Sequence, residues 1–168
     1  MSAAPQATNP LFDKRLITAY VDSVIKTVKT MASTDLTPGK PFIEASFQQK
    51  GDIAGTVGMI APPLKGTLLI CFDKPSIFTI LENMLGEKYT ELNREVQDAV
   101  GELTNMIYGS SKTSLNQLGY NFEMAIPTVV RGNSIKTSHI GRTKTIVLPF
   151  ATDVGEFYIE ICAEGTGK

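Results

Sequence analysis

The sequence predicts an α+β fold in which long helices pack on a mixed or antiparallel β-sheet, built from two pseudo-duplicated helix-plus-three-strand units. Three observations lead to this prediction. Two long segments, 11–31 and 94–118, repeat apolar residues at intervals of three and four, the period of an amphipathic helix. Each segment is later followed by short apolar runs bounded by turn-forming residues, which is typical of strands. The order of elements in the first half recurs in the second, in pattern and without obvious residue identity.

The length and charge of the chain restrict its class. A chain of 168 residues suits one domain with a sizeable core, which we predict to span residues 11–168. Hydrophobic residues make up 42% of the sequence and charged residues 20%, as in ordinary soluble globular proteins. The formal net charge is -1 and no basic cluster is present. We therefore expect no binding to nucleic acid or to a membrane surface.

The N-terminus and the cysteines indicate the compartment. Residues 1–10 are small and polar and contain proline, so we predict that they are disordered, and they lack the features of a secretory signal. No apolar run approaches the length of about 20 residues that spans a bilayer. Cys71 and Cys162 each lie among apolar residues, which favours two buried thiols over a disulfide. We expect a cytoplasmic protein.

The first helix is predicted over residues 11–31, with Asn9 as its N-cap and Pro10 in its first position. The run Thr37-Pro-Gly-Lys-Pro41 then breaks the helical pattern and turns the chain. The predicted buried stripe of the helix consists of Ile17, Tyr20, Val21, Val24, Val28 and Met31.

Three strands are predicted next, over residues 42–49, 53–60 and 66–72. Lys50-Gly51-Asp52 is interpreted as a hairpin turn between the first two strands, because glycine relieves the positive φ that such turns require. The continuous apolar run 68–72 indicates a strand that is covered on both faces.

A short helix is predicted over residues 74–85, with Asp73 as its N-cap and Gly86 at its end. A long helix follows, with Asn93 as its N-cap, and runs to Leu118 before Gly119 ends it. The apolar side of the short helix consists of Ile77, Ile80, Leu81 and Met84. Further strands are predicted over residues 121–131, 134–138, 143–150 and 155–163.

The two faces of the long helix have different predicted roles. Apolar residues at steps of four, three and four form a stripe that would dock on the core: Val96, Val100, Leu103 and Ile107. The same steps on nearly the opposite side give a second stripe, here called the polar ridge: Asp98, Glu102, Asn105 and Gly109. Gly101 and Gly109 each cost roughly 1 kcal/mol relative to alanine inside a helix. Glycine on an exposed face lets another backbone approach, so we expect a partner to dock on the ridge.

The pattern Asp98-x3-Glu102-x2-Asn105-x3-Gly109 resembles the signature of the CheC/CheX/FliY family of chemotaxis phosphatases. The run Gly101-Glu-Leu-Thr-Asn-Met106 resembles the CheX branch, and the resemblance spans about residues 11–163. Four further segments also resemble CheX: Gly39-Lys-Pro41, Pro127-Thr-Val-Val-x-Gly132, Ser134-Ile-Lys136 and Ile146-Val-Leu-Pro149.

The resemblance implies a phosphatase that hydrolyses the aspartyl phosphate of a CheY-like response regulator. An acyl phosphate is already activated, so such an enzyme mainly has to place a water in line with phosphorus. The resemblance assigns catalysis to Glu102 and Asn105. The Asn105 carboxamide would orient the water, and Glu102 would also anchor the partner by pairing with a lysine beside its phosphorylation site. Each side chain could instead simply be solvated, and Asn105 could bond locally to the backbone.

Asp98 and Gly109 complete the predicted partner-binding surface, and each has an alternative role. Asp98 either extends the acidic contact or only favours the N-terminal half of its helix. Gly109 either admits the partner or serves helix–helix packing inside this protein.

No metal site is predicted, because His139 and two separated cysteines make no recognisable ligand spacing. The Mg²⁺ that phosphoryl transfer requires would come with the regulator. The first helix carries Asp22 with Ile25 three residues later, so we predict one site per chain and none on that helix. CheX-like relatives are dimers, which implies a homodimer. The alternative function is a non-catalytic module of the same fold that docks on a chemotaxis or flagellar-switch protein.

Overall fold

The computed structural model describes residues 13–44, 51–61, 64–123, 126–131 and 145–165. Within these residues the helices are α1 (Lys14–Ala32), α2 (Lys74–Leu85) and α3 (Arg94–Gln117). The strands are β1 (Thr37–Pro38), β2 (Phe42–Glu44), β3 (Ile53–Ala61), β4 (Leu64–Phe72), β5 (Thr128–Arg131), β6 (Thr145–Ala151) and β7 (Glu156–Gly165).

The strands form one sheet in which every described pair is antiparallel. The order is β6-β7-β4-β3-β5, and both β1 and β2 pair with β6 at one edge. The last strands of the two halves, β4 and β7, pair at the centre. The first strand of each half pairs with the middle strand of the other half, β2 with β6 and β5 with β3. The predicted α+β class is therefore confirmed, and its repeated pattern is visible in this exchange of strands.

The helices cover one face of the sheet and bury most of the core. Side chains that alternate along β4 and β7 point toward the helices and are almost fully buried, as period-2 strands require. They are Leu68, Ile70, Phe72, Phe157, Ile159 and Ile161.

The opposite face of the sheet buries a smaller cluster. Leu69 and Cys71 lie there with Ala54, so the apolar run 68–72 is buried on both faces, as predicted. Cys71 pairs across the ladder with Tyr158, whereas Cys162 stands four residues further along β7. Both thiols are buried and neither forms a disulfide, in agreement with the prediction.

Helix α1 begins later than predicted. Asp13 is its N-cap, and the Asp13 carboxylate accepts a hydrogen bond from the Arg15 amide at 2.9 Å. The predicted start at residue 11 is therefore wrong, and the predicted cap Asn9 lies outside the described residues. Of the predicted core side, Tyr20, Val24 and Val28 are fully buried, and Ile17 and Val21 are half-buried against the core. Met31 is 46% exposed, so its predicted burial is wrong; Ala32, the next residue along the helix, faces the core in its place.

The predicted hairpin at residues 50–52 is wrong. Strand β2 pairs with β6, whereas β3 pairs with β4 and β5, so the chain crosses between separate parts of the sheet. Gly51 does not have a positive φ. It is needed because a Cβ atom there would lie 2.6 Å from the Phe72 carbonyl oxygen. Residues 45–50 lie outside the described part of the chain.

The segment 37–41 turns the chain as predicted but also contains the short strand β1. The strand predicted over residues 121–131 is wrong in extent, because among the described residues of that range the strand β5 covers Thr128–Arg131 alone. Before it, the Phe122 amide donates to the Asn116 side chain at 2.8 Å, so the chain folds back on the end of α3. The strand predicted over 134–138 lies outside the described residues.

The ends of α2 and α3 agree with the sequence. Asp73 and Asn93 are their N-caps, and each side chain accepts a backbone amide of the first turn. Gly86 has a φ of 76° and Gly119 a φ of 102°, the left-handed conformation that glycine adopts without strain. None of the helices in the described part of the chain combines the length and apolar character that a membrane span requires.

Candidate active site

Helix α3 docks on the sheet through the predicted apolar stripe. Val96, Val100, Leu103 and Ile107 are all fully buried. Thr104 lies on the same side, and its hydroxyl donates to the Val100 carbonyl at 2.7 Å. A Cβ atom at Gly55 of β3 would clash with the Thr104 side chain. The helix therefore rests directly on the strand backbone at this point.

The polar ridge lies on the opposite side of α3, as predicted. Asp98, Glu102, Asn105 and Gly109 are all exposed. Within the part of the chain that the structure describes, no side chain or backbone group is hydrogen-bonded to the side chains of Glu102 or Asn105. The local backbone bond considered for Asn105 is therefore not formed, and both polar groups can reach a bound partner.

A cleft of about 800 Å³ opens along the ridge, between α3 and the segment that enters β5. It brings together three of the predicted site residues, Asp98, Glu102 and Asn105. The rest of its lining consists of Gln97, Gly101, Ile126, Pro127 and Val129.

The second wall of the cleft was not predicted as part of the site. Pro127 and Val129 carried a signal, because both belong to a segment that resembles CheX, but Ile126 had none. A Cβ atom at Gly101 would lie 3.4 Å from the Val129 side chain. The two walls are therefore close at this position, where a methyl group would make an ordinary van der Waals contact with Val129.

The two walls are tied together at the N-terminal end of α3. The Arg131 guanidinium donates to the Leu92 carbonyl at 2.6 Å, and the Gln97 side chain donates to the same carbonyl at 3.2 Å. Leu92 directly precedes the cap residue Asn93. Strand β5 is thus fixed to the start of the helix that carries the ridge.

Gly109 lies beyond the lining of the cleft, one helical turn after Asn105. A Cβ atom at Gly109 would meet no atom within 4 Å. Helix–helix packing inside this protein, the alternative considered for this glycine, is therefore wrong for the described residues. The position is an open surface on the ridge.

The acidic groups of the site do not form a metal centre. Among the residues that the structure describes, no group of three or more His, Cys, Asp or Glu side chains is placed to hold a metal ion. His139 lies outside those residues. The polar side chains that α3 contributes to the cleft are the carboxylates of Asp98 and Glu102 and the neutral amides of Gln97 and Asn105.

Comparisons with known proteins identify the family. The family described as "Chemotaxis phosphatase CheX" matches residues 53–151. The chain is 27% identical over 130 residues to the CheY-P phosphatase CheX of Thermotoga maritima, covering 77% of this chain and 83% of that protein. It is 43% identical to a CheC-like superfamily protein from Shewanella sp. PV-4, with a TM-score of 0.85 over 90% of this chain and 99% of that one.

The fold is shared more widely. A chain of the CheX-CheY-BeF3-Mg²⁺ complex from Borrelia burgdorferi has a TM-score of 0.74 at 20% identity, over 89% of this chain and 97% of that chain. The 43% identity to the Shewanella protein places the chain among the CheC-like superfamily proteins. Because the matched segment is more than half of its 168 residues, the chain belongs to the CheX family of chemotaxis phosphatases.

Proposed function

We propose that this chain hydrolyses the aspartyl phosphate of a CheY-like response regulator. The observation that carries the proposal is the exposure of Glu102 and Asn105 side by side on one rigid helix, over an open cleft. Its membership of the CheX family and the name of its Thermotoga relative, a CheY-P phosphatase, support the same reaction.

We assign to Asn105 the orientation of the attacking water. Its carboxamide has both a donor and an acceptor and stays neutral, so it can orient a water molecule without accepting its proton. The acyl phosphate has a good leaving group, and positioning supplies most of the catalysis of phosphoryl transfer. Because no group of the described residues occupies the Asn105 side chain, its hydrogen bonds are available for this water.

We assign to Glu102 and Asp98 the binding of the partner. Glu102 lies three residues before Asn105, so the two side chains are neighbours on the helix surface. A lysine beside the phosphorylated aspartate of the regulator would pair with Glu102 and bring the phosphoryl group to Asn105. Asp98 extends the negative surface by one turn, and the bare backbone at Gly109 admits the regulator at the other end.

We assign the binding of the divalent ion to the regulator. The described residues of this chain offer no metal-binding cluster. The complex from Borrelia burgdorferi contains CheY, BeF3 and Mg²⁺, which supports a regulator that brings its own Mg²⁺. The homodimer implied by the family resemblance, and the absence of a second site on α1, stay predictions.

The test is the decay of a phosphorylated CheY-like receiver in Mg²⁺, with the wild type, Asn105→Ala or no addition. We expect faster decay with the wild type and baseline decay with the variant. Gln117→Ala is the matched control, because this exposed amide lies on the same helix outside the cleft. Wild-type hydrolysis by Asn105→Ala would refute the role of the amide.

The alternative, a non-catalytic docking module, gives a different result. A receiver locked with beryllofluoride would then be retained by the immobilised wild-type protein. A phosphorylated receiver would lose its phosphate no faster with the protein than without it. The structure gives no observation that favours this alternative, and a pure docking surface has no need of an unoccupied amide at Asn105.

A further inference from the structure

We infer that Ile126 is the apolar anchor of the partner interface, and that it inserts into an apolar depression beside the phosphorylation site of the receiver. This inference rests on the proposed function and names a contact that the polar ridge does not supply. The Ile126 side chain is 90% exposed. The other exposed large apolar side chains of the described residues are 39–51% exposed.

Ile126 stands beside the predicted chemistry. It lines the same cleft as Glu102 and Asn105, on the opposite wall. A receiver that brings its phosphoryl group to Asn105 must therefore cover Ile126 with the adjoining surface. An isoleucine that remains exposed gains nothing in the isolated chain, whereas its burial in a complex removes a whole apolar side chain from water.

The chain is fixed on both sides of Ile126. Three residues earlier, the Glu123 amide donates to the Ile60 carbonyl at 2.9 Å, and the Glu123 carbonyl accepts from the Tyr108 hydroxyl at 2.6 Å. Two residues later, Thr128 pairs with Thr56 in the sheet. Pro127 limits the backbone between them by its fixed φ. The described segments before and after Ile126 are thus held against α3 and the sheet, which keeps this residue beside the ridge.

The composition of the surface fits a protein partner. The apolar wall of Ile126, Pro127 and Val129 faces the carboxylates of Asp98 and Glu102 and the amide of Asn105 across the cleft. Ile126 is the most exposed side chain of that wall. An apolar anchor surrounded by polar groups is the usual arrangement of a binding hot spot. The polar groups provide orientation and chemistry, so the affinity for the receiver is expected to depend chiefly on Ile126.

The test separates affinity from chemistry. For Ile126→Ala we expect the KM for the phosphorylated receiver and the Kd for the beryllofluoride-locked receiver to rise about tenfold or more. We expect kcat at saturation to change less than about twofold. Ile126→Val should restore most of the affinity. Val154→Ala is the control, because Val154 is the next most exposed of these apolar side chains at 51% and lies on the turn between β6 and β7.

The experiment distinguishes failure of the Ile126 anchor from failure of the proposed phosphatase function. If the wild type hydrolyses the receiver and Ile126→Ala has an unchanged KM, the anchor is wrong and the phosphatase stands. If Ile126→Ala instead converts a dimer to a monomer in sedimentation, with an unchanged KM, the residue contacts a second copy and the inference is overturned. A wild type without activity on any receiver would refute the proposed function itself.

Discussion

Thr104 of α3 and Gly55 of β3 are in direct contact, with the threonine side chain occupying the space where any other residue at position 55 would have its Cβ atom. Thr104 is the residue before Asn105 and lies on the buried side of the helix, where it is 0% exposed. The height of the polar ridge above the sheet is therefore set by a glycine in a neighbouring strand. This relationship links the packing of the core to the position of the proposed water-orienting amide.

Gly55→Ala should both destabilise the fold and impair the site. The added methyl group has no space, and overpacking of a core typically costs about 1–3 kcal/mol of unfolding free energy. The movement of α3 that makes room for the methyl group beside Thr104 also displaces Asn105, so the rate of receiver dephosphorylation should fall. Urea denaturation and phosphate decay measure the two effects.

Gly58→Ala is the matched control for this variant. Gly58 lies on the same strand, but a Cβ atom there meets nothing within 4 Å. We expect wild-type activity and little change in stability. Equal behaviour of the two alanine variants would contradict a role for the Thr104–Gly55 contact.

Glu102→Lys should weaken the complex with the phosphorylated receiver by about tenfold or more, because it replaces an attractive charge by a repulsive one in the centre of the interface. Since Glu102 is exposed, the thermal stability of the chain should be nearly unchanged. Binding of the beryllofluoride-locked receiver, followed by calorimetry, measures the effect. Asp153→Lys makes the same charge change on the exposed turn between β6 and β7, and unchanged binding is expected there. A similar loss in both variants would show a general charge effect.

Gly109→Ala should change stability and function in opposite directions. Alanine in place of glycine stabilises a helix interior by roughly 0.8–1 kcal/mol, and within the described residues the new methyl group meets no atom within 4 Å beyond its own stretch of helix. The melting temperature should therefore rise. The same methyl group would stand between the helix and the regulator, so the KM for phosphorylated receiver should rise as well. A more stable variant with an unchanged KM would remove Gly109 from the partner interface.

Asp13 should make the fold sensitive to acid. Hydrogen bonds from Arg15, and a further one from the Tyr120 hydroxyl at 2.8 Å, lower the pKa of Asp13 from 3.8 to about 2, although partial burial opposes the shift. Burial and the bond to Asp13 raise the pKa of Tyr120 to about 12, so its hydroxyl remains a donor throughout.

A carboxyl group whose pKa is lower in the folded state stabilises the fold above its unfolded pKa and loses that effect as the pH falls through the folded value. The contribution of Asp13 should therefore be complete above about pH 5 and be lost progressively between about pH 5 and pH 1. Asp13→Asn should lower the melting temperature at pH 7, and its difference from wild type should shrink as the pH falls and be mostly lost near pH 2. Asp22→Asn, an exposed change on the same helix, is the control, and its melting temperature at pH 7 should match the wild type.

Much of the fold and part of the site followed from local patterns. The caps Asp73 and Asn93 and the terminal glycines Gly86 and Gly119 were predicted correctly, because caps and left-handed ends depend on neighbouring residues alone. The start of α1 was predicted wrongly, because Asp13 gains its advantage as a cap partly from Tyr120, more than a hundred residues away.

The pairing of the strands could not be predicted in the same way. Residues 50–52 have the composition of a hairpin turn, yet Gly51 is required for its close approach to Phe72 of β4. Pairing joins segments that are distant in the chain, and its energy depends on which faces are buried together. The two halves exchange their first strands, which brings β5 beside β3. This exchange depends on which faces are buried together, and no local sequence pattern indicates it.

The sequence by itself determined the ridge, since a period of 3.6 residues separates Asp98, Glu102 and Asn105 from the apolar stripe on the same helix. Only the tertiary structure decided that Ile126 and Pro127 form the opposite wall, and that Gly109 faces open space. The physical reason is that a helix orients its own side chains through local geometry, whereas a cleft needs two walls, and the second wall is positioned by long-range strand pairing.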